Sequence, residues 1–538
     1  MAVKARRQLG LGLALLMATA ACGAGGGTGQ PSAKAGGSPL SMDQQILTVG
    51  ALPDRYLNEL PDRPDVGKYP LNTSTFDTLA RMNEDLQVEP RLAERWELNE
   101  ATNTYRYFLR KGVKFHDGAE LTAEDVKYTF DLIVKANPTN YQTLGPESVK
   151  VVDPLTVDIT PMKKNNRLVE QLVHPIWGIN RNGSDPVKPI GTGPYRTVEW
   201  VKNDKYVVER FDGYWDPTRA AKAQRITFKF IADGQTKILA LRSGDLDLVM
   251  DVPLSQAKEV QASPGLTSVK SKTGAYNALS INLFGQGPYD LGKDPAIREA
   301  VAAGVDRKAV LQKVWGGNAE ESTTWIPPAV LGRQASMVKG VNHDQARAAQ
   351  LLDQAGWAPG GDGIRMKDGR RLTLVHMIAG PGDSDPADSV AAAELMQDQL
   401  KRVGIETKIE LPEAAAASAR TRNGEYDILQ GIGNQNEANP CFLPDLIFYS
   451  KGGPAQKWRA PGGKTDEAIE RCRSAANIEE TRQASAEAIH ELVDVEHVVI
   501  PLIGLSRIWA MKENVAGFVP HPSLTNQRWE GVYLADGS

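Results

Sequence analysis

The sequence predicts an α/β protein with helices on both faces of a sheet. Over the last two thirds of the chain, helical patterns of apolar residues alternate with short strand-like segments, and this order favours such sheets. The chain has 538 residues, which is too long for one hydrophobic core, so we expect two or three domains. The 41% of hydrophobic and 24% of charged residues are typical of a soluble globular protein.

The first elements of the body are strands and one capped helix. Ile46–Ala51 and Thr104–Leu109 have the pattern of strands, and Val149–Ile159 predicts a hairpin. A helix is expected to begin after Thr122, because Asp125 lies three residues further on and can cap its first turn.

The rest of the body alternates strands and helices. Aspartates before apolar periodic segments supply several of the helix starts, as expected for N-caps. In chain order the predicted elements are the strands Tyr206–Arg210 and Arg225–Ile231, the helix Gln235–Arg242, the strands Asp245–Met250 and Tyr276–Phe284, helices beginning at Asp294-Pro295 and Asp306, the helix Asp344–Ala355, the strand Leu372–Ile378, the helix Asp388–Val403, the strand Ile405–Leu411, the helix Glu480–Val495 and the strand Val498–Leu505.

The first 21 residues have the layout of an export signal. Lys4, Arg6 and Arg7 are basic, Leu9–Met17 is apolar but too short to span a bilayer, and small residues precede Cys22. We therefore expect residues 1–21 to be removed and Cys22 to carry a lipid. An ordinary secreted protein cut nearby is the alternative, and the export route, general or twin-arginine, stays open.

Residues 22–42 are predicted to be a flexible tether. Gly23–Pro39 is rich in glycine, alanine and serine, contains one charge and cannot bury a core. No later segment is apolar over about 18 residues, so membrane contact is expected through the lipid alone. The expected location is outside the cytoplasm, anchored to the cell membrane.

The charge and the cysteine content exclude several classes of function. Removal of the signal takes the net charge from −4 to −7, which argues against nucleic acid as a partner. Of the three cysteines, Cys441 and Cys472 remain free to form a disulfide, with two separate buried thiols as the alternative. Histidines are scattered and motifs for nucleophilic or zinc catalysis are absent from the sequence, so we expect no metal, no cofactor and no enzyme.

A series of short motifs covers nearly the whole chain after the tether. They are Pro90-Arg91-Leu92-Ala93 with Trp96, Tyr105–Leu109, Gly112–Gly118 followed by Leu121–Val126, Gly191–Tyr195, Tyr214-Trp215, Ser243–Asp247, Ile297–Ala300 with Val305–Arg307, and Leu351-Leu352 with Ala355–Trp357. In this order the set resembles family 5 of the extracellular solute-binding proteins, which feed peptide, nickel and opine ABC importers.

The resemblance implies a two-lobed type II periplasmic-binding-protein fold of the large cluster C form, which closes on its ligand about a hinge. The chain would cross between the lobes near Gly274-Ala275 and near Met511. The implied segments are a first-lobe core of residues 43–75, 190–275 and 512–538, an accessory subdomain of residues 76–189, and a second lobe of residues 276–511.

The function implied by the resemblance is a monomeric substrate-binding lipoprotein that hands a small-molecule solute to ABC permease subunits. A ligand-sensing receptor on the same fold and an exported hydrolase are the alternatives. The hydrolase would need a nucleophile, a base and an orienting group, and the sequence contains no motif for them.

The loop after Tyr426–Leu429 departs from the family pattern. Peptide binders place an aspartate there to pair with an α-ammonium group, whereas this chain has Asn436 and Asn439 at the two acidic positions. Neutral amides favour a sugar, an opine or a modified amino acid over an oligopeptide, and a metal chelate ranks third. The predicted ligand-binding residues are Asn434, Asn436, Glu437, Asn439, Trp177, Arg181, Trp325 and Trp509, with Arg507 as a further cation that could meet a carboxylate.

Overall fold

The computed structural model describes residues 37–51, 71–136, 144–184, 190–201, 203–379, 386–435, 437–452 and 461–536. The predicted export signal, most of the tether and the lipidation residue Cys22 lie outside the described residues. Within these ranges no helix has both the length and the apolar character needed to cross a membrane.

The strands of the described residues fall into two main sheets and several smaller ones. In chain order they are β1 Ile46–Ala51, β2 Ala80–Met82, β3 Val88–Pro90, β4 Ala93–Asn99, β5 Thr104–Leu109, β6 Val149–Asp153, β7 Thr156–Ile159, β8 Tyr195–Val201, β9 Lys205–Arg210, β10 Arg225–Phe230, β11 Leu248–Val252, β12 Leu266–Lys270, β13 Ala275–Ile281, β14 Glu320–Glu321, β15 Ala358–Pro359, β16 Arg365–Lys367, β17 Arg370–Arg371, β18 Thr373–Ile378, β19 Glu406–Glu410, β20 Ile428–Asn434, β21 Val499–Leu505, β22 Ile508–Lys512, β23 Val515–Ala516 and β24 Tyr533–Leu534.

Most of the helices lie between these strands in chain order. They are α1 Asn72–Thr75, α2 Ala123–Ala136, α3 Leu168–Leu172, α4 Gly234–Ser243, α5 Ala257–Gln261, α6 Pro295–Gly304, α7 Arg307–Trp315, α8 Pro328–Leu331, α9 Gln345–Gln354, α10 Pro386–Arg402, α11 Ala414–Asn423, α12 Phe442–Phe448, α13 Lys464–Ser474 and α14 Ile478–His490.

The first main sheet has seven strands in the order β12-β22-β11-β1-β10-β9-β8. β1 is central and runs parallel to β10 and β11. The ring centroids of Trp509 and Trp529 lie 6.1 Å apart in the core of this lobe. The lobe also holds both ends of the described chain, because Pro39 pairs with Ala535.

The second main sheet has six strands in the order β14-β21-β13-β20-β18-β19. β18 runs parallel to β19 and β20, whereas β13 is antiparallel to β20 and β21. Its buried Leu279, Ile281 and Ile428 share one apolar core with residues of α6, α7, α9 and α10. The predicted α/β class is confirmed.

Local capping explains the helix starts of this lobe. The side chains of Asp294, Asp306 and Asp344 accept hydrogen bonds of 2.8–2.9 Å from backbone N–H groups of the first turns. Such caps satisfy donors that the helix itself leaves unpaired. The three helix starts that were predicted at these aspartates are confirmed.

A third unit, the accessory subdomain, contains the four-stranded sheet β4-β5-β7-β6 with α2 packed against it. The predicted cap of α2 is present, since Asp125 accepts a hydrogen bond of 2.8 Å from the Thr122 N–H. The chain returns to the first lobe through Gly191-Thr192-Gly193. A Cβ atom on Gly191 would lie 2.1 Å from the Thr75 carbonyl oxygen, so this return requires glycine.

The chain passes between the two main sheets twice, after β12 and after β21. The second crossing is short, because only Ser506 and Arg507 separate β21 from β22. β22 pairs with β11 and β12 in the first sheet, and Met511 lies opposite Leu248 there. The crossing therefore lies four residues before the predicted position near Met511. Because only two residues separate two apolar strands here, the sequence pattern shows no break that would mark the crossing.

Other boundaries differ by a few residues. β13 ends at Ile281 rather than Phe284, because the Asn282 side chain donates to the carbonyl oxygens of Gly424 and Tyr426 and ends the ladder. β11 begins at Leu248 rather than Asp245. The polar helices α11 and α13 were not predicted, since neither carries a long apolar stripe.

Candidate ligand cleft between the two lobes

The two crossings bring the edges of the main sheets together. Gln435, just after β20, donates its N–H to the Gly274 carbonyl at 2.9 Å, and Gly274 donates to the Leu505 carbonyl at 3.2 Å. β11 ends close by at Val252. Ligands of α/β proteins bind beyond the carboxyl ends of strands, so this boundary is the candidate ligand site.

A cavity of about 40 Å³ lies at this boundary. That volume has room for a few water molecules at most, since one water needs about 10–15 Å³ of such space. Both lobes and the second crossing contribute to its walls. The lining residues are Asp251, Val252, Pro253, Leu254, Asn277, Trp315, Asp388, Ser389, Leu505, Ser506 and Arg507.

A buried ion pair forms one wall of the cavity. Arg507 Nη1 lies 2.9 Å from Asp251 Oδ2, and both side chains are almost fully buried. The Arg507 N–H donates to Ser271 Oγ at 2.9 Å, which ties the two crossings together. Asp251 has a φ of 55°, an uncommon conformation for a residue other than glycine. Strained, buried charges of this kind are frequent at functional sites.

Asn277 of β13 adds an uncharged polar group. Its side chain is fully buried, and within the described ranges neither amide atom has a hydrogen-bond partner. Leaving such a group unpaired costs about 1–3 kcal/mol. Asn277 is therefore suited to hydrogen-bond a polar solute that enters the cleft.

The loop after β20 contacts the accessory subdomain. The carboxylate of Glu437 is buried, and its Oε1 lies 3.9 Å from His174 Nε2. Burial lowers the pKa of His174 to about 3, so the ring is neutral near pH 7. His174 Nδ1 accepts the Ile176 N–H, which places the ring proton on Nε2, facing Glu437. Glu437 therefore lies in a buried contact between this loop and the accessory subdomain.

The asparagines of this loop have different surroundings. Asn439 is buried and its Oδ1 accepts the Cys441 N–H at 2.9 Å, so it shapes the loop through its own backbone. Asn434 ends β20 opposite Ala275, with only its backbone described, and Asn436 lies outside the described residues. The ligand roles of these asparagines remain predictions.

The three predicted tryptophans lie in three different places. Trp325 packs edge-on against Tyr276 and Phe448, with ring centroids 5.5 and 5.1 Å apart, in an apolar cluster shared by the second lobe and the accessory subdomain. Trp177 packs on Phe130 inside the accessory subdomain. Trp509 lies in the first-lobe core. The packing favours core roles for Trp177 and Trp509.

Arg181 lies on the accessory subdomain, half-exposed. Its guanidinium group is 3.5 Å from the Asp117 carboxylate and 3.8 Å from that of Asp125. Both acids belong to the subdomain's own turn and helix cap, so this pairing favours a structural role over the predicted ligand contact.

The loop is fixed at its far end by a disulfide. The structure joins Cys441 to Cys472 of α13, with the two Cα atoms 5.9 Å apart. Within the described part of the chain, no group of three or more histidine, cysteine or acidic side chains is placed to hold a metal ion.

Sequence reasoning did not single out Asp251, Asn277 or His174. A signal for Asp251 was available, because it lies at the carboxyl end of a predicted strand, where α/β proteins place ligand groups. Asn277 gave a weaker signal, as one polar residue in an apolar strand. His174 had no local signal, since its role depends on a contact with a residue more than 260 positions away.

Residues 87–455 match the model of the bacterial extracellular solute-binding proteins, family 5. The chain belongs to this family. The match confirms the family that the sequence motifs indicated, together with a function as a solute-binding protein.

Individual relatives agree with this assignment. The glutathione-binding protein GsiB of Salmonella paratyphi A is 26% identical, over 83% of this chain and 86% of its own. The oligopeptide-binding protein AppA of Bacillus subtilis is also 26% identical, over 91% of each chain. The crystal structure of NikA from Brucella suis with Fe(III)-EDTA superposes with a TM-score of 0.77 at 25% identity, over 91% of this chain and 99% of that one. The predicted type II binding-protein fold is therefore confirmed.

Proposed function

We propose that this chain captures a small polar solute between its lobes and delivers it to the permease subunits of an ABC importer. The observation that carries the proposal is the set of buried polar groups at the crossings: the Arg507–Asp251 ion pair and the unpartnered amide of Asn277. Buried polar groups of both lobes converge at one boundary, as expected for an enclosed ligand site. The protein would act as a monomer and leave its solute chemically unchanged.

The solute class we propose is an amino-acid derivative: an opine, a modified amino acid or a short peptide. The boundary holds the Arg507 guanidinium group, which suits a carboxylate, and the Asp251 carboxylate, which suits an ammonium group. A second carboxylate, that of Glu437, lies two residues after Gln435, whose N–H bonds to Gly274 at the first crossing. A zwitterion uses both signs of charge, whereas a neutral sugar uses neither. The names of the relatives, which bind glutathione and oligopeptides, agree with this class.

Binding requires the lobes to separate from the arrangement described here. Ligand pockets have volumes of roughly 300–1,000 Å³, far above the 40 Å³ of this cavity. Opening about the crossings would break contacts such as the 3.0 Å hydrogen bond from the Ala438 N–H to the Glu170 carbonyl. The structure therefore corresponds to a closed state in this proposal.

We also propose the domain limits and the location that follow from this function. The first lobe would take residues 37–75, 190–270 and 508–538, with the accessory subdomain at 76–189 and the second lobe at 275–505. Residues 1–21 would be removed, Cys22 would carry the lipid, and residues 22–36 would link it to the body, which begins before Pro39 because Pro39 pairs with Ala535. This anchoring would hold the protein at the outer face of the cell membrane.

The first experiment identifies the solute directly. Purified protein is denatured, and mass spectrometry is applied to what it releases. Calorimetry with glutathione, a tripeptide and a disaccharide follows. We expect a zwitterion to bind and the disaccharide not to. Binding of the disaccharide alone would contradict the proposed class, and hydrolysis of a bound solute would contradict the function.

The Glu437→Gln variant tests the loop. We expect its affinity for the zwitterion to fall about tenfold or more, because a charge-assisted contact becomes a neutral one. Glu394→Gln, an exposed acid on α10, is the matched control and should bind normally. Equal affinity in both variants would remove Glu437 from the site.

A further inference from the structure

A second, larger cavity is lined only by residues of the first lobe and the accessory subdomain. Its volume is about 670 Å³, and it lies between the β2–β3 hairpin, the loop before β10 and the C-terminal segment. The lining residues are Arg81, Glu84, Pro90, Arg91, Arg110, Trp215, Asp216, Thr218, Arg219, Ala220, Lys222, Gly517, Val519, Arg528, Glu530 and Gly531. None of them belongs to the segment between the two crossings, so this pocket is separate from the ligand cleft.

The pocket lining carries more cations than acids although the whole chain is acidic. Six of its lining side chains are cationic and three are acidic. The net charge of the chain is −4. A concave surface with one sign of charge concentrates ions of the opposite sign.

Four of the five arginines are already held by acids, including Arg110, whose Nη1 lies 3.9 Å from Glu94 Oε1. Arg91 lies 2.7 Å from Asp77 and 2.9 Å from Asp216, and Arg219 lies 3.0 Å from Glu530. Arg81 donates from Nε to Glu89 at 2.9 Å. These pairs fix the positions of the guanidinium groups in the pocket wall.

Arg528 has no such partner. Within the described part of the chain, its guanidinium group makes no hydrogen bond or ion pair, although it lies among Arg81, Arg91 and Arg219. Burial lowers the pKa of Arg528 to about 10, and Glu530 offsets this only in part. Burial and the charge of Arg219 also lower the pKa of Arg81. The folded protein therefore holds these cations together at a cost in electrostatic free energy.

We propose that this pocket binds a small multivalent oxyanion of the phosphate class, with Arg528 as its central ligand. A guanidinium group donates two parallel hydrogen bonds to a phosphate, and several such groups converge here. The pocket volume falls within the range of small-molecule sites. Among the described residues, Lys222 and Arg528 are the two lining cations without an ion pair, so an anion with two negative charges matches them better than a monocarboxylate does. The site would work without lobe closure and independently of the transported solute.

The test uses the purified protein with inorganic pyrophosphate as the probe, at low ionic strength. We expect calorimetry to show binding of pyrophosphate and the melting temperature to rise with its concentration. Arg528→Gln should weaken binding about tenfold or more, while its melting temperature without pyrophosphate stays the same or rises, since the unpartnered cation is gone. Lys308→Gln, an exposed cation of the second lobe, is the control and should match the wild type.

A second arm separates a soluble anion from a lipid headgroup. The protein is mixed with phosphatidylcholine vesicles that contain phosphatidic acid. Vesicle binding that pyrophosphate displaces assigns the pocket to lipid phosphates, and pyrophosphate binding without vesicle binding assigns it to soluble ones. Absence of pyrophosphate binding, or equal binding by Arg528→Gln and wild type, would overturn the proposal. Neither result bears on the solute in the interlobe cleft.

Discussion

Two buried aromatic regions of this protein look alike in burial and differ in what surrounds them. In the first lobe, Trp509 packs against Phe518 and Trp529, with ring centroids 4.8 and 6.1 Å away. Between the second lobe and the accessory subdomain, Trp325 packs against Tyr276 and Phe448 at similar distances. The first cluster lies inside one lobe, whereas the second is shared between the second lobe and the accessory subdomain.

Burial of a tryptophan therefore does not identify a ligand contact. An unpartnered indole N–H does not identify one either, because Trp325 and Trp509 both have one among the described residues. What separates both clusters from the candidate site is that the cavity at the crossings is lined by charged and amide groups such as Arg507, Asp251 and Asn277. Buried charge at a junction between lobes is the more informative signal, since it has a cost that a pure packing role does not require.

The largest expected effect comes from the aromatic clusters. Trp509→Ala should lower the free energy of unfolding by about 3–5 kcal/mol, because it opens a cavity in the first-lobe core. Solute affinity of the folded fraction should be unchanged. Trp325→Ala should reduce both stability and solute affinity. Denaturant unfolding measures stability and calorimetry measures affinity. If Trp509→Ala alone lost affinity, the Trp509 cluster and not the Trp325 cluster would be the one that affects solute binding.

The ion pair at the second crossing gives the next effect. Arg507→Leu should destabilise the protein by about 3 kcal/mol, since it leaves the Asp251 carboxylate buried without its partner. The double variant Arg507→Leu/Asp251→Asn should recover much of that stability in urea unfolding while solute binding stays weak. If the double variant binds normally, the ion pair holds the hinge and has no part in recognition.

The smallest expected change in the free energy of unfolding is a stabilisation rather than a loss. Asn277→Leu should leave the stability of the ligand-free protein unchanged or raise it by about 1 kcal/mol, because it removes a buried amide without a partner. Solute affinity should fall at the same time. Thermal melting with and without solute measures both, and a clear loss of stability would show that Asn277 serves packing alone.

Local signals explain why so much of the fold could be predicted. Asp294, Asp306 and Asp344 carry their information within three residues, so their helix starts were visible in the sequence. The second crossing was placed four residues late because strand pairing with β11 and β12, not local composition, decides where β22 belongs. Polar helices such as α13 lack the apolar period that reveals a helix.

The site was less predictable than the fold for the same reason. Glu437 could be proposed from its loop, but its neighbour His174 comes from another subdomain. Asn439 has the residue type of a ligand contact and instead accepts a hydrogen bond from its own loop. Residue type states what a side chain is able to do, and only tertiary contacts decide whether its hydrogen-bonding capacity is free for a solute.

The pairing of Pro39 with Ala535 has a practical consequence. Both termini of the folded body emerge from the same lobe, side by side, while the second lobe is an internal excursion of the chain. Fluorophores attached at the two ends of the folded body would keep a constant separation when the two lobes move apart. A sensor of its opening needs one dye at a terminus and the other on an exposed residue of the second lobe, such as Lys308.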